Sequence, residues 1–112
     1  MIKCSKMKLL LIILNKEEFL DDILSALVEA GILNATVIES TRITEVLSHE
    51  VPIFAGLRQL SKGGRAYNRI ILAPVEEEKE MREFLRILEE TEIDLQKEEI
   101  GAIFLLPVEK IS

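Results

Sequence analysis

The sequence predicts an α+β sandwich, in which two helices cover one face of a four-stranded antiparallel sheet. Two segments carry apolar residues at helical spacing, and four others are rich in β-branched or continuous apolar residues. These segments follow one another in the order β-α-β-β-α-β. This order is that of the split βαβ, or ferredoxin-like, fold. The chain of 112 residues fits one domain with a core of its own, spanning 1–112.

The first strand and the first helix are predicted in the N-terminal third of the chain. Leu9–Leu14 is a continuous apolar run, which is typical of a strand buried on both faces. A helix is predicted over 16–30, with Asn15 as its N-cap, Glu18 as the capping-box partner and Gly31 at its C-terminal end. The apolar residues of this helix are Leu20, Ile23, Leu24 and Leu27.

The remaining elements follow from the same two periodicities. The segment 34–43 is rich in β-branched residues and predicts the second strand, and 67–73 predicts a third strand that Pro74 stops. The second helix is predicted over 75–90, where three consecutive glutamates suit the positive end of the helix dipole. Its apolar face consists of Met81, Phe84, Leu85 and Leu88. The segment 101–108 predicts the fourth strand.

The strand patterns also predict an oligomer. The first, third and fourth strands do not alternate apolar with polar residues, so both faces of the sheet are suited to burial. Two helices can cover only one of these faces. We therefore expect the other face to contact a second subunit.

Composition excludes several classes of protein. The formal net charge of −6 does not favour nucleic-acid binding, and a single cysteine cannot form an internal disulfide. The apolar run near the N-terminus is too short for a membrane span and lacks the small-residue cleavage site of a signal peptide. We therefore expect a cytoplasmic protein without nucleic-acid partners or direct membrane insertion.

Catalytic and metal-binding signals are weak. His49 is the only histidine, and Ile53 stands where a zinc-protease motif requires the second one. His49 is therefore interpreted as a solvated loop residue. Cys4 lies near the chain terminus, which disfavours a role as a nucleophile. We expect no catalytic residues and no metal site, and so no enzyme.

The segment 43–66 is predicted to be a long loop with a contact function. It combines apolar residues with glycines and cations, and 40–74 holds five Lys and Arg residues against two glutamates on an otherwise acidic chain. Such a surface suits an anionic ligand or a protein partner, although local charge compensation is the alternative. The sequence KGGR at 62–65 is either an anion-binding nest or a flexible turn.

Three stretches of the chain resemble the PII signal-transduction proteins and their PII-like relatives. They are KEEFLDDILSALVEAGILNATVIES, then RIILAP after the long segment, and GAIFLLPVEKI at the C-terminal end. The match covers nearly the whole chain, but it lies mainly in the order and spacing of elements. The CutA-like proteins, which bind metals or small molecules, share this fold and are the alternative.

The resemblance implies a non-catalytic homotrimer that regulates a transporter or an enzyme through the loop 43–66, the counterpart of the family's T-loop. It also implies adenine-nucleotide binding in clefts between subunits. Several of the family's phosphate-binding residues have no counterpart here. Arg42 and Thr44 stand where its glycine-containing turn is expected, and only Gly101 remains of the Gly-Asp-Gly-Lys loop. Arg58 lies near the position of the tyrosine that is modified in some PII proteins.

The candidate residues fall into two groups. A ligand between subunits is expected to contact Thr36, Arg42, Thr44, Arg65 and Gly101. A partner protein is expected to contact the loop at Ile53, Phe54, Leu57, Arg58 and Leu60.

Overall fold

The computed structural model describes residues 5–50 and 67–112. Its strands are β1 (Ser5–Leu14), β2 (Thr36–Glu39), β3 (Arg69–Val75) and β4 (Gly101–Lys110). Its α-helices are α1 (Leu20–Glu29), α2 (Ile43–Glu50) and α3 (Glu78–Glu90). The four strands form one antiparallel sheet in the order β2-β3-β1-β4. The predicted ferredoxin-like α+β fold is therefore confirmed.

One face of the sheet carries the hydrophobic core. Alternate residues of β1 and β3 point to this face and are at most 2% exposed. They are Leu10, Ile12, Leu14, Ile71, Ala73 and Val75. They form one cluster with Ile23 and Leu27 of α1 and with Phe84 of α3. Full burial of such a side chain stabilises the folded chain by about 1.5–3 kcal/mol. The apolar residues at helical spacing therefore hold α1 and α3 against the sheet.

The opposite face of the sheet, called the open face below, is also apolar. The register places Leu72, Leu11 and Phe104 in one row and Leu9 beside Leu106 in the next. These side chains are only partly buried, and Leu106 is 40% exposed. The sheet therefore has two apolar faces, as the strand patterns predict, and the helices cover one of them.

The end of α1 agrees with the sequence, but its start does not. Gly31 has a φ of 87°, its N–H donates to the Val28 carbonyl, and the next N–H donates to the Leu27 carbonyl. This is a Schellman motif, which favours glycine. Asn15 as N-cap was wrong: a 3-10 turn over Glu17–Phe19 precedes α1, and it has no side-chain cap. The Asn15 side chain instead bonds to other strand ends, as described below.

The N-terminus of α3 is capped by its own glutamates, but α3 begins at Glu78 and not at 75 as predicted, because Val75 is the last residue of β3. The Glu77 N–H donates to the Glu80 carboxylate at 3.0 Å, and the Glu77 side chain accepts from the Glu80 backbone N–H. This reciprocal pair is a capping box. On the exposed surface of the helix, Arg86 contacts both Glu83 and Glu90. The hydrogen bond from Arg86 lowers the pKa of Glu83 below its ordinary value.

Two prolines lie inside strands. The prediction that Pro74 stops the third strand was wrong, because β3 continues to Val75 and Pro74 pairs with Leu9. The pairing of β2 with β3 ends at Leu72, so β3 has a partner on only one side at Pro74, and a missing N–H is tolerated there. Pro107 lies in β4, the outer strand on the other side of the sheet.

The prediction that 43–66 is a loop throughout was wrong for its first eight residues. Ile43–Glu50 is α2, and the N–H groups of Glu45 and Val46 both donate to the Arg42 carbonyl. His49 therefore lies in a helix and not in a loop. The rest of this segment, 51–66, lies outside the described residues. Among the described helices, none is long and apolar enough to cross a membrane.

Candidate functional site

The polar end of the sheet is organised by the buried side chain of Asn68. Its Nδ2 donates to Asn15 Oδ1 at 2.9 Å, and its Oδ1 accepts from Ser40 Oγ at 2.7 Å. Asn15 follows β1, Ser40 follows β2 and Asn68 precedes β3. The three side chains therefore join three strand ends at one edge. Since a buried amide without a hydrogen-bond partner costs about 1–3 kcal/mol, this chain of hydrogen bonds stabilises the arrangement of the three strand ends.

Arg69 is a cation at this end of the sheet, and neighbouring groups compensate its charge. Its Nη2 lies 3.7 Å from Glu39 Oε1, and its Nη1 donates to the Asn68 carbonyl at 2.8 Å. Its guanidinium carbon also lies 4.5 Å from the centre of the Tyr67 ring, as in a cation–π contact. Local compensation, the alternative considered for the cations of 40–74, therefore applies to Arg69.

These residues line a cleft of about 440 Å³, called the strand-end cleft below. Its lining consists of Glu17, Glu39, Ser40, Thr41, Glu45, Tyr67 and Arg69. Three of these side chains are carboxylates and one is an arginine. Glu45 is only 5% exposed. Within the described residues the cleft is therefore acidic, which does not favour a small anion.

The structure separates the residues that were predicted to bind a ligand. Thr36 begins β2, Arg42 directly precedes α2, and Thr44 lies in the first turn of α2. Gly101 begins β4, at the opposite edge of the sheet. Adjacent strands lie about 4.8 Å apart, so three strand spacings, about 14 Å, separate the two edges. Arg65 and the predicted loop contacts Ile53, Phe54, Leu57, Arg58 and Leu60 lie outside the described residues.

Gly101 also has a packing role that the sequence did not reveal. A Cβ at this position would lie 1.9 Å from the Ile13 carbonyl oxygen and 3.2 Å from a methyl carbon of Leu95. The backbone of β4 therefore approaches β1 too closely for any side chain. The glycine is explained by strand packing whether or not a ligand binds beside it.

A groove of about 830 Å³ lies beside Gly101, between α3 and β4, and is called the α3–β4 groove below. Its apolar lining includes Leu85, Ile93, Ile103 and Phe104. Its charged lining consists of Glu89, Glu92, Asp94 and Lys97. A phosphate chain requires several cationic or N–H donors, whereas this part of the groove has three carboxylates and one lysine. The described lining therefore does not fit the phosphates of a nucleotide.

The described site contains residues and clefts that the sequence does not predict as functional. The Tyr67–Asn68–Arg69 segment carries most of the polar contacts at the sheet end, although the sequence predicts only a strand there. Neither the strand-end cleft nor the acidic lining of the α3–β4 groove was predicted, because both depend on strand register. Among residues 5–50 and 67–112, no three His, Cys, Asp or Glu side chains are grouped as ligands for a metal ion.

Of three comparisons with known proteins, only the search of solved structures gave matches. A scan against family models and a search of curated protein sequences both gave no match. The chain is similar to CPII, a nitrogen regulatory PII-like protein from Thiomonas intermedia K12, in a structure bound to ADP, AMP and bicarbonate. That match has a TM-score of 0.63 and 18% identity, and it covers 98% of both chains.

Two further structures extend this likeness. The apo form of the same CPII has a TM-score of 0.62 and 17% identity, and the match covers 98% of this chain and 97% of that one. A protein from Thermus thermophilus, described as PII-like and signalling, has a TM-score of 0.56 and 14% identity, with coverage of 97% and 92%. The resemblance expected from the sequence is therefore confirmed for the architecture: over its full length, this chain has the fold of PII-like proteins.

Proposed function

We propose that the protein is a non-catalytic regulator of the PII-like type, which acts as a homotrimer in the cytoplasm. The observation that carries this proposal is the open face of the sheet in a chain whose whole length matches PII-like structures. A fold alone does not assign a function. The open face adds a physical requirement, because an exposed apolar sheet in one subunit needs a covering surface.

The geometry of the open face is compatible with packing of sheet against sheet. Its central rows run across all four strands, from Thr36 through Leu72 and Leu11 to Phe104, so the apolar surface is continuous. Burial of apolar surface contributes about 25 cal/mol per Å². Three copies packed through these faces would remove the exposed rows from water.

The test of assembly is the molar mass in solution, measured by light scattering over a range of protein concentrations. We expect three times the mass of the 12.7 kDa chain. Leu106→Lys should lower the mass, because it places a charge in the buried contact, while Leu106→Met should leave the mass unchanged. A monomeric wild-type protein at high concentration would contradict the proposal.

The partner-binding part of the proposal rests on the segment that follows β2. Within this segment, α2 begins at the polar end of the sheet, and 51–66 contains the apolar and cationic residues expected to contact a transporter or an enzyme. We expect Phe54→Ala to weaken partner capture and to leave the trimer mass unchanged. Loss of the trimer in Phe54→Ala would place this residue in the assembly contact and would contradict its proposed role.

A small anionic ligand would have to bind between subunits. Thr36, Arg42 and Thr44 lie at one edge of the sheet and Gly101 at the other, so one subunit cannot bring them to a common ligand, and Arg65 would have to supply further charge. The CPII structures contain ADP, AMP and bicarbonate or acetate. Because Arg42 and Arg65 are the only cations among these residues, and a triphosphate requires more charge-assisted donors than a small anion does, we propose a small anion in preference to a nucleoside triphosphate.

A thermal-shift screen tests the ligand and separates the alternatives. A ligand at 100 times its Kd stabilises the fold by about 2.7 kcal/mol. We expect bicarbonate or another small anion to raise the Tm more than ATP does, and Arg42→Ala to remove the effect. A CutA-like protein would instead take up a metal ion with defined stoichiometry in a calorimetric titration.

A further inference from the structure

A chain of hydrogen bonds crosses the polar end of the sheet from one edge to the other. Beyond the contacts of Asn68 described above, Asn15 Nδ2 donates to the Glu99 carbonyl at 3.4 Å, and the Asn15 N–H donates to the Ile100 carbonyl at 2.7 Å. The chain thus visits the ends of β4, β1, β3 and β2 in their spatial order and is called the polar relay below. Its members, in that order, are Glu99, Asn15, Asn68 and Ser40.

The Glu99 carbonyl sets the direction of every hydrogen bond in the polar relay. A carbonyl oxygen can only accept, so Asn15 turns its Nδ2 toward Glu99 and its Oδ1 toward Asn68. Asn68 then turns its Nδ2 toward Asn15 and its Oδ1 toward Ser40, whose hydroxyl must donate. One acceptor at the β4 edge therefore decides where the Ser40 hydroxyl hydrogen points at the β2 edge.

The opposite direction of the relay requires the Glu99 carbonyl to move away. Both side-chain amides would then turn over, and Asn68 Nδ2 would donate to Ser40 Oγ. The hydroxyl hydrogen of Ser40 would be free to point into the strand-end cleft, which Ser40 lines. In the observed direction Ser40 offers this cleft an acceptor, whereas in the opposite direction it offers a donor, which an anion requires.

The backbone of Glu99 is strained in the observed arrangement. Its φ is 55°, in the left-handed region that residues with a side chain adopt only at a cost. Its bond from Asn15 Nδ2 is also the longest in the relay, at 3.4 Å. The shorter bond between the Asn15 N–H and the Ile100 carbonyl can persist when this carbonyl moves. The relay can therefore change direction while β4 stays paired with β1.

We propose that the polar relay couples the two edges of the sheet, so that the position of the Glu99 carbonyl controls anion binding at the β2 edge. Displacement of this carbonyl frees the Ser40 hydroxyl for an anion, and by linkage an anion bound there favours the displaced carbonyl. The relay has two arrangements that both ends bias, which is the physical requirement for coupling.

The regulatory consequence rests on the proposed function, because it assumes an anion bound between subunits, whereas the relay itself lies within one subunit. Each ligand site of the proposed trimer takes the β4 edge of one subunit and the β2 edge of the next. The relay runs between these two edges, so it would connect neighbouring ligand sites.

Two substitutions of Glu99 test the coupling without any ligand, and both remove the same charge. Glu99→Gly accepts the left-handed backbone and should keep the observed direction, whereas the β-branched Glu99→Val disfavours it and should displace the carbonyl. NMR of the full-length protein reports the side-chain amide of Asn68 and the backbone amide of Ser40. We expect both signals to shift in Glu99→Val and to stay in place in Glu99→Gly.

The control is a double-mutant cycle with Asn15→Ala, which removes the link between Glu99 and Asn68 at a partly exposed position. In this background, Glu99→Val should no longer shift the signals of Asn68 and Ser40. Shifts that persist without the Asn15 side chain would overturn the proposal. Shifts of Glu99→Val that stay within 97–101 would overturn it as well.

A calorimetric titration with bicarbonate tests the regulatory consequence in the same variants. We expect Glu99→Val to bind bicarbonate at least about fivefold more tightly than Glu99→Gly. Ser40→Ala should remove this difference, because it deletes the hydroxyl at the end of the relay. Equal affinities of the two Glu99 variants would overturn control of the ligand by the relay. If no variant binds bicarbonate, the proposed anion is wrong, while the NMR shifts still decide whether the relay couples the edges.

Discussion

The two faces of the sheet are made from the same kinds of residue but have different surroundings. On the helix-covered face, Leu10, Ile12 and Leu14 are excluded from water by α1 and α3. On the open face, their immediate neighbours Leu11 and Ile13 are partly exposed. Apolar residues in a strand therefore indicate that a surface will be buried. They do not indicate whether a helix or another subunit buries it. Among residues 5–50 and 67–112 of one subunit, only the helix-covered face has its cover.

The largest expected effect comes from a cavity-forming substitution on the helix-covered face. Leu10→Ala should reduce the free energy of unfolding by about 2–5 kcal/mol, because it opens a cavity in a closely packed core. The matched change Leu11→Ala lies one residue away, on the open face. Its cost should be small in dilute monomer and should grow with protein concentration as subunits associate. Denaturant titrations at several concentrations measure both. An equal and concentration-independent cost would show that the two faces do not differ in this way.

An intermediate effect is expected where β4 approaches β1 closely, in the backbone between the two faces of the sheet. Gly101→Ala would place a Cβ 1.9 Å from the Ile13 carbonyl oxygen, so β4 must move away from β1. We expect a loss of about 1–3 kcal/mol in the free energy of unfolding, as for other overpacked sites. Ala102→Gly in the next position adds no atom and should cost less than about 1 kcal/mol. Thermal unfolding ranks the two, and a neutral Gly101→Ala would contradict the close approach of these strands.

The smallest effect should come from the ends of the helices that cover the inner face. α1 and α3 both end in a Schellman motif, but Gly31 holds the left-handed position after α1 and Glu92 holds it after α3, with a φ of 60°. Glu92→Gly should therefore raise the free energy of unfolding by about 0.5–1 kcal/mol. Glu89→Gly, within the helix, should lower it by a similar amount. If Glu92→Gly also destabilises the protein, the strain of a glutamate in the left-handed conformation is smaller than expected.

The fold could be predicted because its elements have strong and distinct periodicities. The apolar spacing in 16–30 and 75–90 is helical, and the Gly31 signal depends only on neighbouring residues. The errors arose where a residue acts over a long distance. Asn15 has the chemistry of an N-cap, but Asn68 offers it a tertiary hydrogen bond across the sheet end. Pro74 is tolerated only because β2 ends before it, which local sequence does not reveal.

The candidate sites were less predictable for the same reason. The strand-end cleft joins residues from three separate parts of the chain, and only the register β2-β3-β1 places Glu39 beside Arg69. Gly101 attracted a ligand interpretation because glycine is common in phosphate-binding loops. Its close approach to Ile13 gives another reason for the same residue. The sequence does not predict α2, because the proline and the glycines that follow it in 51–66 disfavour a helix over the segment as a whole.

Pro107 bears on whether the outer edge of the sheet can pair with further chains. Exposed sheet edges can recruit further chains into open-ended fibrils, and natural proteins often interrupt them with proline. Pro107 removes one donor from the outer strand while the apolar rows of the open face lie directly behind it. Replacement of Pro107 by valine would leave an unbroken ten-residue edge. The expected penalty is faster fibril growth at high concentration, with little change in the stability of the single fold.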